Sequence, residues 1–406
     1  MRIPPIALVA CSILLASPVS AAPLSLGALL QEAEKNNPEL ISLRHSAEAA
    51  QARIQPASTL PDPRISAELM DVSLPGSPKI QVSQMFMFPG KLGKMGQMEG
   101  QMAEMSRQEY ESRRWMIASD VQGTYFDLYY LDRLQGINKE SQALLKDMIR
   151  VTNARYAVGQ GMQADVLRPQ LQLSKLMNDQ IEYKERMRSA FVRLDGLLGR
   201  PSGALDEAPV DVRLTPLKLD RKAILKLSEQ SPMLKMARAD IGRSQAALEL
   251  AKLGYYPDFE LGAGVTPGSG MAKTNYSAMA GVSLPLWAGQ KQANQVTEAQ
   301  KNLEVAQSRL EARRRELDTQ INTLLNQIER MESQLRLLNE GMIPQARTAL
   351  KANLAAYQAG RGDYLMLLDS FMALYDYRMQ AAMLLSEHEK MVGMLEALLG
   401  QSLKGA

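Results

Sequence analysis

"RYAVGQGMQADVL" (155–167) reads as the end of one helix, a tight turn and the start of the next, and "AYQAGRGDYLMLL" (356–368) reads the same way. Tyr156 matches Tyr357, Gly159 matches Gly360 and Gly161 matches Gly362, each 201 positions on. Glycine adopts the left-handed conformation after a helix at little cost, so the same reversal is written twice, half a chain apart. Outward from the turns, three more landmarks recur in order. "EKNNPELISLRHSAEAAQARI" (34–54) answers "SEQSPMLKMARADIGRSQAAL" (228–248), "LPDPRISAEL" (60–69) answers "YYPDFELGAG" (255–264), and "FMFPGKLG" (86–93) answers "LPLWAGQK" (284–291). A period of about 200 residues is too long for a solenoid and describes one unit duplicated in tandem. The expected division is a leader at 1–21, a first repeat at 22–205 and a second at 206–406, joined through the turn-rich "GRPSGALDEAPVDVRLTP" (199–216).

Each repeat is expected to hold one very long helix, from Gly90 to Val158 and from Gly289 to Tyr357. In the first, Val121, Tyr125, Leu128, Leu131, Leu134, Ile137, Leu144, Met148 and Val151 form a seam. In the second the seam runs Val296, Ala299, Leu303, Ala306, Leu310, then Leu317, Ile321, Leu324, Ile328, Met331, Leu335, Leu338 and Met342, with a stutter near Leu317. Helices of about 69 residues reach about 100 Å, beyond the globular range. Shorter helices are expected at 29–58, 162–198, 221–254 and 363–399. Stacked end to end, a pair of them matches one long helix, and such strips could close into a tube.

Between these helices lie short alternating segments, "RISAELMD" (64–71), "KIQVSQMFMF" (79–88), "DFELGAGV" (258–265) and "NYSAMAGVSLPL" (275–286). Ile80, Val82, Phe86 and Phe88 share one face and Gln81 and Ser83 the other. One apolar and one polar face fits either a membrane-spanning barrel or a small sheet packed on helices. Aromatic placement favours the barrel: Phe86, Phe88, Tyr255, Tyr256 and Trp287 all sit where strands meet helices, as a membrane-interface girdle would. Four strands cannot close a barrel, and an open edge is not tolerated in lipid, so several copies must share one. The expected fold is mainly α with membrane β: a long α-helical barrel plus four β-strands per chain, completing a trimeric 12-stranded β-barrel.

The chain has 406 residues, a formal net charge of +3, one cysteine and two histidines. The small charge gives no reason to expect nucleic acid as a partner. Arg2, the apolar run 6–15 and "VSA" (19–21) read as an export signal cleaved after Ala21. "LVAC" (8–11) has the form of a lipoprotein box, but the apolar run continues past Cys11, and the unlipidated reading is preferred. The mature chain then has no cysteine, and no later stretch is long and apolar enough for a transmembrane helix.

"LSLGALLQEAEKNNPEL" (24–40), the duplicated strand pairs, "LPLWAGQKQ" (284–292) and the two glycine turns together resemble the TolC family of outer-membrane efflux channels over essentially the whole mature chain. "LPDPRI", "SQMFMFPGKLG" and "YYPDFELGAG" are most similar to its CzcC-like and CusC-like branch, which serves heavy-metal efflux pumps. The resemblance implies a homotrimer in outer-membrane lipids, joined to a periplasmic adaptor and an inner-membrane transporter of the RND type, with the helical barrel in the periplasm. It makes the two turns the periplasmic tip that meets the adaptor and closes the channel. The tip residues are then Arg155, Tyr156, Gly159, Gly161, Asp165, Tyr357, Gly360, Arg361, Gly362, Asp363 and Asp369. Asp369 matches a position that rings the entrance with carboxylates, whereas a second family aspartate is Met366 here. Asp363 reads equally as a helix N-cap and as a gating residue. Arg361, Asp165 and Asp369 are the candidates for a polar latch.

Met95, Met98, Met102 and Met105 form one helical stripe. Thioethers suit soft metal ions, but methionine seams are ordinary packing, and that reading is preferred. His45 and His388 are expected to be solvated or structural. No cysteine–histidine cluster, nucleophile elbow or phosphate loop is present, so neither a metal site, a cofactor nor an enzyme is expected. The alternatives are a duct for drugs, organic solutes or type I secretion and, in another class, a periplasmic coiled-coil adaptor or scaffold.

Overall fold

The computed structural model describes residues 25–68, 78–203, 205, 214–215, 220–268 and 273–403. The leader 1–21 with Cys11, most of the connection between repeats and the tips of both strand loops lie outside them. The element order is α1 (Leu26–Asn36), α2 (Pro38–Ala52), α3 (Ile54–Ala57), β1 (Arg64–Glu68), β2 (Lys79–Phe86), α4 (Lys91–Ala157) and α5 (Gln163–Leu198), then α6 (Arg221–Ser228), α7 (Pro232–Leu253), β3 (Asp258–Thr266), β4 (Asn275–Ser283), α8 (Gln292–Leu337), a π-helical turn (Leu338–Met342), α9 (Ile343–Gln358) and α10 (Tyr364–Leu399).

α4 is a single helix of 67 residues, and α8, the π turn and α9 run on as its counterpart. The backbone of the second long helix is irregular at 338–342, while α8 runs unbroken past the change of seam spacing near Leu317. Pro344, at the start of α9, supplies no N–H for a helical hydrogen bond, and its ring crowds the carbonyl four residues back. The seams are close to expectation, but Leu145, Thr152 and Leu325 are buried where Leu144, Val151 and Leu324 are half-buried. The helices before the strands are broken rather than continuous. Asn37 and Ser231 cap the new helices at Pro38 and Pro232. Asn37 Oδ1 accepts from the Glu39 and Leu40 amides at 3.0 and 3.2 Å.

The end-to-end stacking is present. α5 ends at Gly199 (φ +69°), where an added Cβ would lie 2.5 Å from the Asn36 carbonyl oxygen. α10 ends at Gly400, also at φ +69°, against the ring of Pro232. Asn37 Nδ2 ties the first joint by donating to the Leu197 carbonyl at 2.9 Å. The helices form a wall: α4 packs on α2 and α7 along one stretch and on α5 and α10 along the next, while α8 and α9 flank α7 and α10. Successive apolar clusters fill it, from Leu128 and Leu194 to Leu145 and Phe371.

The strands form one antiparallel sheet, β1-β2-β3-β4. Its register aligns Ile65 with Val82, Val82 with Ala263, Phe86 with Phe259 and Phe259 with Val282. Partners opposite one another share a face. One face therefore carries Ile65, Ile80, Val82, Phe86, Phe259, Leu261 and Val282, all exposed within the single chain. The other carries Ser66, Gln81, Ser83, Gly262, Gly264, Ser277 and Ser283. The outer edges of β1 and β4 have no partner strand among the described residues. No described helix is long and apolar enough to cross a membrane.

Candidate functional site

The two turns have the same backbone. Gly159 (φ +75°) and Gly360 (φ +78°) donate to the Tyr156 and Tyr357 carbonyls at 3.0 and 3.1 Å. Gln160 and Arg361 donate one residue further back, to the Arg155 and Ala356 carbonyls at 2.9 and 3.0 Å. This pair of bonds is the Schellman motif, which requires a left-handed residue at the glycine. Gly362 is needed for space as well, since a Cβ there would lie 2.9 Å from the Tyr357 nitrogen. Gly161 is less crowded, with 3.4 Å to the Tyr156 nitrogen.

The structure brings the turns of the two repeats into contact. Arg155 Nη1 donates to the Tyr357 carbonyl at 2.5 Å, and the guanidinium lies 4.4 Å from the Tyr357 ring centroid. Tyr357 meets Tyr364 edge-on at 5.8 Å. Both rings are buried, and neither hydroxyl has a hydrogen-bond partner among the described residues. Burial raises both phenol pKa values, reinforced by the nearby Asp165 carboxylate, while Arg155 opposes the shift at Tyr357. Asp165 accepts from the Met162 amide at 3.3 Å at the start of α5. Asp363 accepts from the Leu365 amide at 3.2 Å and is the N-cap of α10. Tyr156, Arg361 and Asp369 are exposed, and Arg361 and Asp369 make no ion pair with a described residue. Sequence reading thus named Arg155 and Tyr357 but missed Tyr364. Its signal was there: Tyr364 stands where the first repeat has Gln163, a departure from the duplication at a residue that becomes fully buried.

At the far end of the long helices the aromatics expected at a membrane interface surround the strand–helix junctions. Phe88 stacks on Tyr256, with centroids 4.4 Å apart and planes at 15°. Tyr255, Tyr256 and Trp287 are exposed, and Phe86 pairs across the sheet with Phe259. Asp258 was not singled out from sequence. It accepts from the Phe88 amide at 2.7 Å and pairs with Lys91 Nζ at 2.8 Å, joining the start of β3 to the start of α4 across the repeats.

The methionine stripe from Met95 to Met105 is half-buried along α4, as a packing seam is. Among the described residues no group of three or more histidine, cysteine or acidic side chains could hold a metal ion. His45 is exposed beside Glu48, whereas His388 is fully buried between Glu389 at 3.1 Å and Glu332 at 3.3 Å.

The model of the family described as outer membrane efflux protein matches residues 29–200 and 223–401. The chain belongs to the outer membrane efflux protein family. It is an outer-membrane channel component of an efflux system, with its helical part on the periplasmic side. Proteins of this family work as trimers with an adaptor and an inner-membrane transporter. The chain is 22% identical over 386 residues to the cobalt-zinc-cadmium resistance protein CzcC of Cupriavidus metallidurans, covering 94% of this chain and 91% of that one. In fold it is similar to the channel CusC, with a TM-score of 0.81 at 15% identity over 93% of this chain and 92% of that one. The outer membrane protein VceC of Vibrio cholerae has a TM-score of 0.79 at 17% identity, over 93% and 96% of the two chains.

Proposed function

We propose that three copies of this chain join edge to edge into a twelve-stranded barrel over a helical tube, forming the passive exit duct of a tripartite heavy-metal efflux pump. The observation that carries the reading is the four-stranded sheet, apolar on one face except for Gln84 and with no partner strand at either edge among the described residues. Such a sheet can sit in lipid only when β1 of one copy pairs with β4 of the next. The helical wall supports the same head-to-tail closure. α10 lies between α4 and the α8–α9 helix, and its Leu368 and Met372 pack into the core. Their counterparts on α5, Leu167 and Leu171, are 54% and 75% exposed. By the internal repeat, the missing neighbour of α5 is the α8–α9 helix of the next copy.

In this reading the two repeats, 22–205 and 206–406, are equivalent staves of the tube, and the chain carries out no reaction of its own. The paired turns form the closed tip and the adaptor contact, with the girdle aromatics in outer-membrane lipid. Likeness to CzcC supports heavy-metal cations as the cargo and an RND transporter as the pump. The tip contact within one chain is Arg155 on Tyr357; Arg361 and Asp369 are left to pair between copies. Exposed ion pairs are each worth about 0–1 kcal/mol, so a set repeated around the tip would hold it shut yet yield to an adaptor.

The test is single-channel conductance in planar bilayers. Arg155→Ala and Arg361→Ala should each raise it, and high salt should do so partly for Arg361 by screening. Wild-type conductance in both variants would place the latch elsewhere. A purified chain that stays monomeric and water-soluble without detergent would overturn the channel assembly itself. A metal-sensitivity panel of a deletion strain reads the cargo: sensitivity to drugs but not metals would favour the organic-solute duct.

A further inference from the structure

The contact between α4 and α5 changes character at one level of the wall. On one side of it lies the apolar cluster around Leu128 and Leu194, and on the other the cluster around Leu145 and Phe371. Between them the contact is polar. Gln180 Nε2 of α5 donates to Gln135 Oε1 of α4 at 3.1 Å. Gln142 Nε2 donates to Asn138 Oδ1 at 2.6 Å and reaches the Leu176 carbonyl of α5 at 3.4 Å. Tyr375 of α10 enters the same layer, with its hydroxyl beside Asn138 and Tyr183.

The layer is buried but incompletely bonded. Asn138 is fully buried and Tyr375 is 8% exposed. Asn138 Nδ2, Tyr375 Oη and Gln180 Oε1 are closed off from solvent, and none has a hydrogen-bond partner among the described residues. Reversing either amide would exchange the atom at the open position and leave the position open. A buried polar atom without a partner costs more than a hydrogen bond returns, so native structures hold few of them. Three at one level, from three helices, call for a common partner. They offer a donor, an acceptor and a hydroxyl that serves as either, which is the set that holds a buried water. Burial raises the Tyr375 pKa, so the phenol keeps its proton to donate. Polar groups that face one another beyond bonding distance are commonly bridged by water. Tyr375 also lines, with Ser141, a cavity of about 210 Å³ between α4 and α10, which is room for several waters.

The wall does not need this polarity to pack. One repeat on, Gln142, Gln180 and Tyr183 are answered by Ile343, Ala381 and Leu384, which join an apolar cluster. Asn138 is answered by Asn339 of the π turn. Both long helices thus leave regular apolar packing at the same level, by different means.

We propose that ordered water occupies this layer, held by Asn138 Nδ2, Tyr375 Oη and Gln180 Oε1, and makes it a hydrated joint of the wall. α4, α5 and α10 are tied there through exchangeable bonds, and the level opens more readily than the apolar stretches on either side.

The experiment uses the full chain in detergent and hydroxyl radicals generated in place by an X-ray pulse, with oxidised residues mapped by mass spectrometry. Radicals formed from bound water label the side chains next to it. Tyr375 is expected to be labelled several-fold faster than Phe371, a buried aromatic on the same helix. Asn138→Leu combined with Gln180→Met keeps the side-chain shapes similar and removes the open amide atoms. It should bring Tyr375 down to the rate of Phe371, with circular dichroism checking that the variant folds. Gln180→Met alone should lower the label in part. Backbone hydrogen exchange at 135–142 should outpace that at 124–131. The proposal fails if Tyr375 in the wild type is labelled no faster than Phe371, if the folded variants label like the wild type, or if 135–142 exchanges no faster than 124–131.

Discussion

Gly360 shows how much one residue decides at the tip. Its φ of +78° is open to glycine and, less readily, to asparagine, while the space beside it is empty. The cost of a side chain there is therefore backbone strain, about 1–2 kcal/mol for alanine. Gly360→Ala should lower the thermal midpoint measured by circular dichroism, and Gly360→Asn should lower it less. Equal losses would mean that contact, not conformation, selects the glycine. Gly362 is the opposite case, with a crowded site and an unremarkable φ, so Gly362→Ala must displace the Tyr357 backbone. Both glycines were legible in the sequence because the reversal was written twice. Arg155 was legible as a tip residue, but not its partner: a carbonyl contact between residues 202 positions apart leaves no local signal.

At the scale of elements, the connection between repeats is pinned to α10 by one buried carboxylate. Glu389 accepts from the Thr215 amide at 2.7 Å and its hydroxyl at 2.8 Å, with His388 alongside. Burial alone would raise the Glu389 pKa, but the hydrogen bonds from His388 and Thr215 outweigh it and hold the group below its ordinary 4.5. Folding thus favours the ionised form. Its contribution is present above pH 4.5 and is lost as pH falls through the lower native value. In thermal unfolding followed from pH 7 to pH 3, Glu389→Gln should be less stable than the wild type at neutral pH and should show a smaller loss in acid. Parallel acid profiles would assign the carboxylate no such role. Sequence reading placed His388 only as solvated or structural, because nothing local announces that Glu332, 56 positions away, folds onto it beside the adjacent Glu389. The π turn was missed for a different reason: the seam continues through it, and the signal was Gly341 and Pro344 inside "EGMIP" (340–344).

For the whole molecule, the unpartnered face of α5 is the feature with the widest consequence. Ile181 is 70% exposed, while its counterpart Ala382 packs into the wall. A charge at Ile181 should be harmless to the single chain and costly where a second apolar helix must cover it. Ile181→Glu is expected to retain wild-type helicity but to shift the protein from trimer to monomer in detergent, as read by size-exclusion chromatography with light scattering. A stable trimer of this variant would show that α5 faces solvent in the assembly. Met372→Glu, on the equivalent face of α10, should instead lower helicity, because that side chain is already half-buried against the chain's own core.

The sequence by itself determined the duplication, the lengths of the long helices, the four strands and the two glycine reversals. Each of these rests on a local signal: a period of two or of three to four residues, a glycine where φ must be positive, or a proline that ends a helix. Tertiary structure decided the rest. It set Arg155 on Tyr357 and Tyr364 beneath it, Asp258 across to Lys91, and Thr215 onto Glu389. Such pairings join positions far apart in the chain, where composition and periodicity carry no information, and they are settled only when buried polar groups must find partners in a packed wall.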